Sequence, residues 1–114
     1  MHEIQEARWV RTTLELGKKI ADVVHRLSSK RGGGTLRREV WIGEQGMVAR
    51  YNLASINPEL HQGDHGRVLG FDNRHGYHHR HCFGQVKAVE FESFESTDEQ
   101  SQAERHELLR PKKA

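Results

Sequence analysis

The spacing of apolar positions changes near residue 35. Before it, Trp9/Val10, Thr13/Leu14, Gly17, Ile20/Ala21, Val24 and Leu27 recur every three or four positions with charges between them. That period predicts an amphipathic helix over residues 4–29. Gly17 lies within the stripe and weakens a helix by about 1 kcal/mol relative to alanine. "SSKRGGG", residues 28–34, breaks the pattern and reads as a flexible joint.

From Thr35 the period is two. "TLRREVWI" sets Leu36, Arg38, Val40 and Ile42 against Arg37, Glu39 and Trp41. "GEQG" predicts a turn, and "MVARYNLASI" returns as a second strand, with Val48, Arg50, Asn52, Ala54 and Ile56 on one face. After the loop "NPELHQGDHG", "RVLGFD" (67–72) predicts a third strand and "NRHG" a tight turn. "YHHRHCF" (77–83) and "QVKAVEFESF" (85–94) predict the fourth and fifth. Thr97 followed by Gln100 spells an N-cap and capping box for a short helix that Pro111 would end. The expected class is α+β: an N-terminal helix, an antiparallel sheet of four or five strands and a short C-terminal helix.

At 114 residues the chain suits one modest core. No apolar run approaches the roughly 20 residues that span a bilayer. Glu3 and Glu6 interrupt the N-terminal stretch, which lacks the apolar core of a signal peptide. Cys82 is the only cysteine, which rules out an internal disulfide and a Cys-rich zinc site. The simplest expectation is a cytoplasmic protein. The net charge of +2 is too small to argue for nucleic-acid binding by itself. Charge is concentrated locally instead, in "FDNRHGYHHRHCFG", residues 71–84.

Strand alternation divides that cluster. His79 and His81 share a face with Tyr77 and Phe83, and His78, Arg80 and Cys82 share the other. The turn brings Asp72 close to the returning strand, so a rim of Asp72, His75, His78 or His79 and Arg74 or Arg80 is expected. Two chemistries fit. Metal-free RNA cleavage needs a base for the ribose 2′-hydroxyl and an acid for the leaving 5′-oxygen, and histidine suits both. His79 or His78 would be the base and His75 or His81 the acid, with Asp72 orienting an imidazole and Arg80 on the phosphate. Arg67, Arg74, Asn73, Asn52 and Tyr77 are candidates to contact substrate. The other chemistry is a zinc-type site, because His79 and His81 form a two-imidazole half-site that Asp72, His75, His61, Asp64 or His65 could complete. The first chemistry requires no cofactor. A third reading is a binding module whose basic rim holds RNA, DNA or an acidic segment without turnover. Gly32–Gly34 precedes a strand rather than a helix and reads as a linker rather than a phosphate cradle. Trp9 and Trp41 read as core.

"RYNLASINPEL", "HGRVLGFDNRHGYHHRHCFGQVKAVEFESFE" and "ERHELLR" together resemble the TumE family of small toxin components of bacterial and archaeal toxin–antitoxin systems. The likeness covers about residues 35–110 and is densest over Gly66–Asn73 and His75–His81. It implies a toxin held inactive by a cognate antitoxin, with ribonuclease activity a common proposal for such proteins. It assigns no catalytic residue. Residues 1–34 form an extension to this family-like domain, 35–110, and 111–114 a basic tail. An exposed apolar helix or edge strand could pair two copies of the chain, although nothing in the sequence requires a homodimer.

Overall fold

A computed structural model describes residues 17–109. Six strands form one antiparallel sheet in chain order: β1 (Lys18–Arg26), β2 (Thr35–Ile42), β3 (Val48–Ile56), β4 (Arg67–Asp72), β5 (His79–Cys82) and β6 (Gln85–Ala88). Helix α1 (Phe94–Leu108) follows. The α+β class is as expected, with two differences. Residues 18–26 are a strand, not the second half of an N-terminal helix, and the sheet has six strands rather than four or five. Residues 4–16 of the expected helix, Pro111 and the tail lie outside the described residues.

The helical period failed at β1 for a physical reason. Its apolar residues Ile20, Val23 and Val24 are β-branched and fit a pleated strand. More decisively, β1 pairs with β2 along its whole length, from Lys18 opposite Ile42 to Arg26 opposite Thr35. The "SSKRGGG" stretch is the compact loop that closes this hairpin. Leu27 N–H donates to the Gly34 carbonyl at 2.8 Å, and Gly32, Gly33 and Gly34 all have positive φ. At Gly34 a Cβ would also run into the Ile56 carbonyl oxygen, so only glycine fits.

The later strands follow the period-two reading closely. β2 and the 67–72 strand match it residue for residue. β5 and β6 are shorter than expected. Phe83 and Gly84, both at positive φ, make the two-residue turn between them. Val89 N–H still donates to the His78 carbonyl at 3.0 Å; beyond it Phe91 stacks on His78 with ring centroids 3.8 Å apart. The helix starts earlier than the Thr97 cap implied. Ser93 is the N-cap, its Oγ accepting from Ser96 N–H at 3.0 Å, while Thr97 is buried within the first turns.

Only one face of the sheet is covered by α1. There Tyr51, Leu53, Val68, Leu69 and Phe71 pack with Leu109 into the core. The helix has a thin apolar stripe, so polar ties help to dock it. Arg38 reaches Asp98 at 3.0 Å and Arg80 reaches Glu104 at 2.8 Å. Phe94 meets Tyr51 edge to face at 5.6 Å. No helix among the described residues is long and apolar enough to cross a membrane.

Phe71 is 1 % exposed at the centre of this core. Phe71→Ala is expected to cost about 3–5 kcal/mol by urea denaturation, through lost burial and the cavity left behind. Val86→Ala, at an exposed position on β6, should stay within about 0.5 kcal/mol of the parent in the same measurement.

Candidate active site

The face of the sheet away from α1 carries a row of polar side chains, and strand register builds it. One cross-strand row runs Asp22, Glu39, Asn52, Asp72, His79. The next runs Val24, Arg37, Ala54, Gly70, His81. Asp72 closes β4 and His79 opens β5, so the 73–78 turn sets them side by side. Gly70 leaves an opening beside them, through which the Arg67 side chain passes; a Cβ at Gly70 would collide with Arg67 Cδ. The loop before β4 turns sharply at Asp64, His65 and Gly66, all with positive φ, and returns Asp64 to the same place.

Asp72 is the hub. Its Oδ1 lies 2.7 Å from His79 Nε2 and accepts the Arg74 backbone N–H at 3.1 Å. Its Oδ2 lies 3.3 Å from Arg67 Nη1 and 3.2 Å from His81 Nε2. Arg67 also grips Asp64 with two bonds, Nε to Oδ2 at 3.0 Å and Nη2 to Oδ1 at 2.9 Å. That grip is the main reason Asp64 is held below the usual carboxylate range. His79 Nδ1 faces the Tyr77 carbonyl at 3.1 Å. A carbonyl can only accept, so Nδ1 carries a proton.

His81 is the unusual member. Its two ring nitrogens lie 3.2 Å from Asp64 Oδ2 and Asp72 Oδ2, yet neither contact is aligned as a hydrogen bond. Proximity without direction makes these electrostatic contacts, and the lone pair on the imidazole is not committed to a donor. Burial first, then the Arg67 charge, pushes the His81 pKa down and favours the neutral ring. Asp72, His79 and His81 are 6 %, 4 % and 8 % exposed, so the cluster is desolvated as well as converged.

The structure divides the expected residues. It brings together Asp72, His79, His81 and Arg67, with Asn52 beside Asp72 in the same row. It sends His78 and Arg80 to the opposite face. His78 shares a 2.8 Å hydrogen bond with Tyr51 and stacks on Phe91, and Arg80 is held by Glu104. Asn73 is a brace: it accepts from Tyr51 N–H and donates to the Ala49 carbonyl, both at 3.0 Å. Arg74 contributes its backbone N–H while its side chain is exposed. His75, at positive φ, is exposed in the turn, and Tyr77 tilts over His79 with centroids 4.6 Å apart. Glu39 was not foreseen; its Oε1 accepts from Asn52 Nδ2 at 2.9 Å. Only the register of three strands places it in this row. The chain matches no protein-family model, no curated protein and no solved structure.

His78 and His81 are both pushed below the ordinary value of 6.5, chiefly by burial. A depressed folded-state pKa means that the unfolded chain binds protons first as pH falls. The stability these neutral rings contribute is therefore complete above about pH 6.5 and is lost below it, toward their folded pKa values. Urea midpoints should be higher at pH 7.5 than at pH 5, and His78→Phe should narrow that gap. Equal midpoints at the two pH values would refute the assignment.

Proposed function

We propose that this chain is the toxin of a toxin–antitoxin pair and acts by cleaving RNA. The carrying observation is the convergence of Asp72, His79 and His81 beside the Arg67 guanidinium on the face of the sheet away from α1. The likeness of residues 35–110 to the TumE family supplies the biological setting: a cytoplasmic toxin neutralised by a partner protein.

In this reaction the 2′-oxygen attacks phosphorus, the bond to the 5′-oxygen breaks to leave a cyclic phosphate, and the departing 5′-oxygen takes a proton from water. Arg67 offers an Nη1 toward the cluster and would balance the charge that builds on the phosphoryl oxygens. Its pairing with Asp64 fixes the guanidinium in place before substrate arrives. Two routes to the 2′-alkoxide are open to the other groups. The neutral His81 ring can take the proton directly; alternatively, Asp72, His79 and His81 would hold a divalent ion that would supply Lewis-acid assistance to that deprotonation. Asn52 lies next to Asp72 in the same cross-strand row, which supports a role in substrate contact.

A second reading, a binding module without turnover, shares the same groups and differs in outcome. Purified chain, free of antitoxin, is expected to cleave total RNA and to arrest growth on expression. Arg67→Ala and His81→Ala should each reduce cleavage at least 100-fold with the circular dichroism spectrum unchanged. RNA that binds with steep salt dependence but stays intact would replace cleavage with the binding reading. Full cleavage by Arg67→Ala would remove that residue from the mechanism.

A further inference from the structure

The polar cluster can do something that its hydrogen bonds alone do not explain. His79 donates Nδ1–H to the Tyr77 carbonyl and sets Nε2 2.7 Å from Asp72 Oδ1, where a metal ion would take the place of the proton between them. A histidine that ligates a metal commonly donates its other ring N–H to a backbone carbonyl, which fixes the tautomer and aims the lone pair. His81 is buried with both nitrogens unpartnered by the geometry of hydrogen bonding, and its Nε2 faces the same carboxylate. One donor atom each from Asp72, His79 and His81 falls within a sphere where all three lie within 4.8 Å of one another. Bonds of about 2.0–2.2 Å to a metal put ligand atoms about 3–4 Å apart, so small side-chain rotations close the set.

We propose that Asp72, His79 and His81 form a binding site for one divalent transition-metal ion. Two imidazoles and one carboxylate are borderline donors, suited to Zn²⁺, Co²⁺, Fe²⁺ or Mn²⁺ rather than to Ca²⁺ or Mg²⁺. Local charge is compatible. Two carboxylates face one guanidinium, and a divalent ion that displaces the protons between the imidazoles and Asp72 is held by a set with net negative side-chain charge. Arg67 contacts Asp72 but is held twice by Asp64, so it keeps a partner when the ion takes Asp72 Oδ2. Three protein ligands leave coordination positions for water or a phosphate oxygen, as in catalytic rather than structural zinc sites.

The inference concerns the site assigned above to RNA cleavage but is measured without RNA, so the two readings fail separately. Full-length protein, stripped with EDTA and exchanged into chelator-free buffer, is titrated with Co²⁺ and followed by visible absorption, then with Zn²⁺ by calorimetry. One equivalent of Co²⁺ is expected, displaced by Zn²⁺. His81→Gln and Asp72→Asn should each weaken Zn²⁺ binding at least 100-fold. A His61→Ala/His65→Ala double variant, altered in loop histidines outside the cluster, should bind as the parent does. Because His79 is the most buried ligand, His81→Gln with a parental circular dichroism spectrum decides the case. Binding below a tenth of an equivalent, or undiminished in His81→Gln, would overturn the site.

Discussion

Burying the Asp72 carboxylate governs one whole face of this sheet. A buried carboxylate without partners costs several kcal/mol, so it must be surrounded by donors or cations. Here the Arg67 guanidinium and the Arg74 backbone N–H donate to it, His79 Nε2 lies 2.7 Å from its Oδ1, and the His81 ring lies beside it without an aligned hydrogen bond. Meeting that requirement shapes the local chain. Gly70 lacks a side chain so that Arg67 can reach across, the strained turn at Asp64–Gly66 brings in a second carboxylate, and the 73–78 turn sets the β4–β5 register.

The two faces of the sheet do different work. On the helix face, Tyr51, Leu53, Leu69 and Phe71 exclude water and supply most of the apolar burial. Two ion pairs from α1 reach sheet residues Arg38 and Arg80 on that face. On the other face the same strands present polar side chains in register. Successive residues point to opposite faces, so residues 78–81 serve both: His78 and Arg80 belong to the packing, His79 and His81 to the cluster around Asp72. The exposed charges of Lys19, Asp22 and Arg37 at the β1–β2 end are solvated and contribute little to stability.

A rigid, desolvated cluster on regular strands suits either proton transfer or ion binding, since its groups are held in place before a ligand arrives. Desolvation also sets the protonation of His81, because burial disfavours the charged ring more than the neighbouring carboxylates restore it. The sheet therefore provides both the positions and the electrostatic environment of the site.

Much of this was readable from the chain alone. The period-two runs of β2, β3 and β4, the turns between them and the sorting of 77–83 by alternation all follow from local rules of backbone geometry. So does the pairing of His79 with His81. Other features were beyond local rules. A stretch with apolar residues every three or four positions became β1, because pairing with all of β2 outweighs a helical period. The helix cap fell at Ser93 because Phe94 finds the Tyr51 ring there. Arg67 and Asp64 were candidates in the sequence, but their meeting at Asp72, and the presence of Glu39 on the same face, follow from strand register and a missing Cβ at Gly70, which are relations between distant residues. Local sequence determined which residues alternate and where the chain turns. Only the tertiary structure decided which polar groups meet, because that depends on which strand lies beside which and in what register.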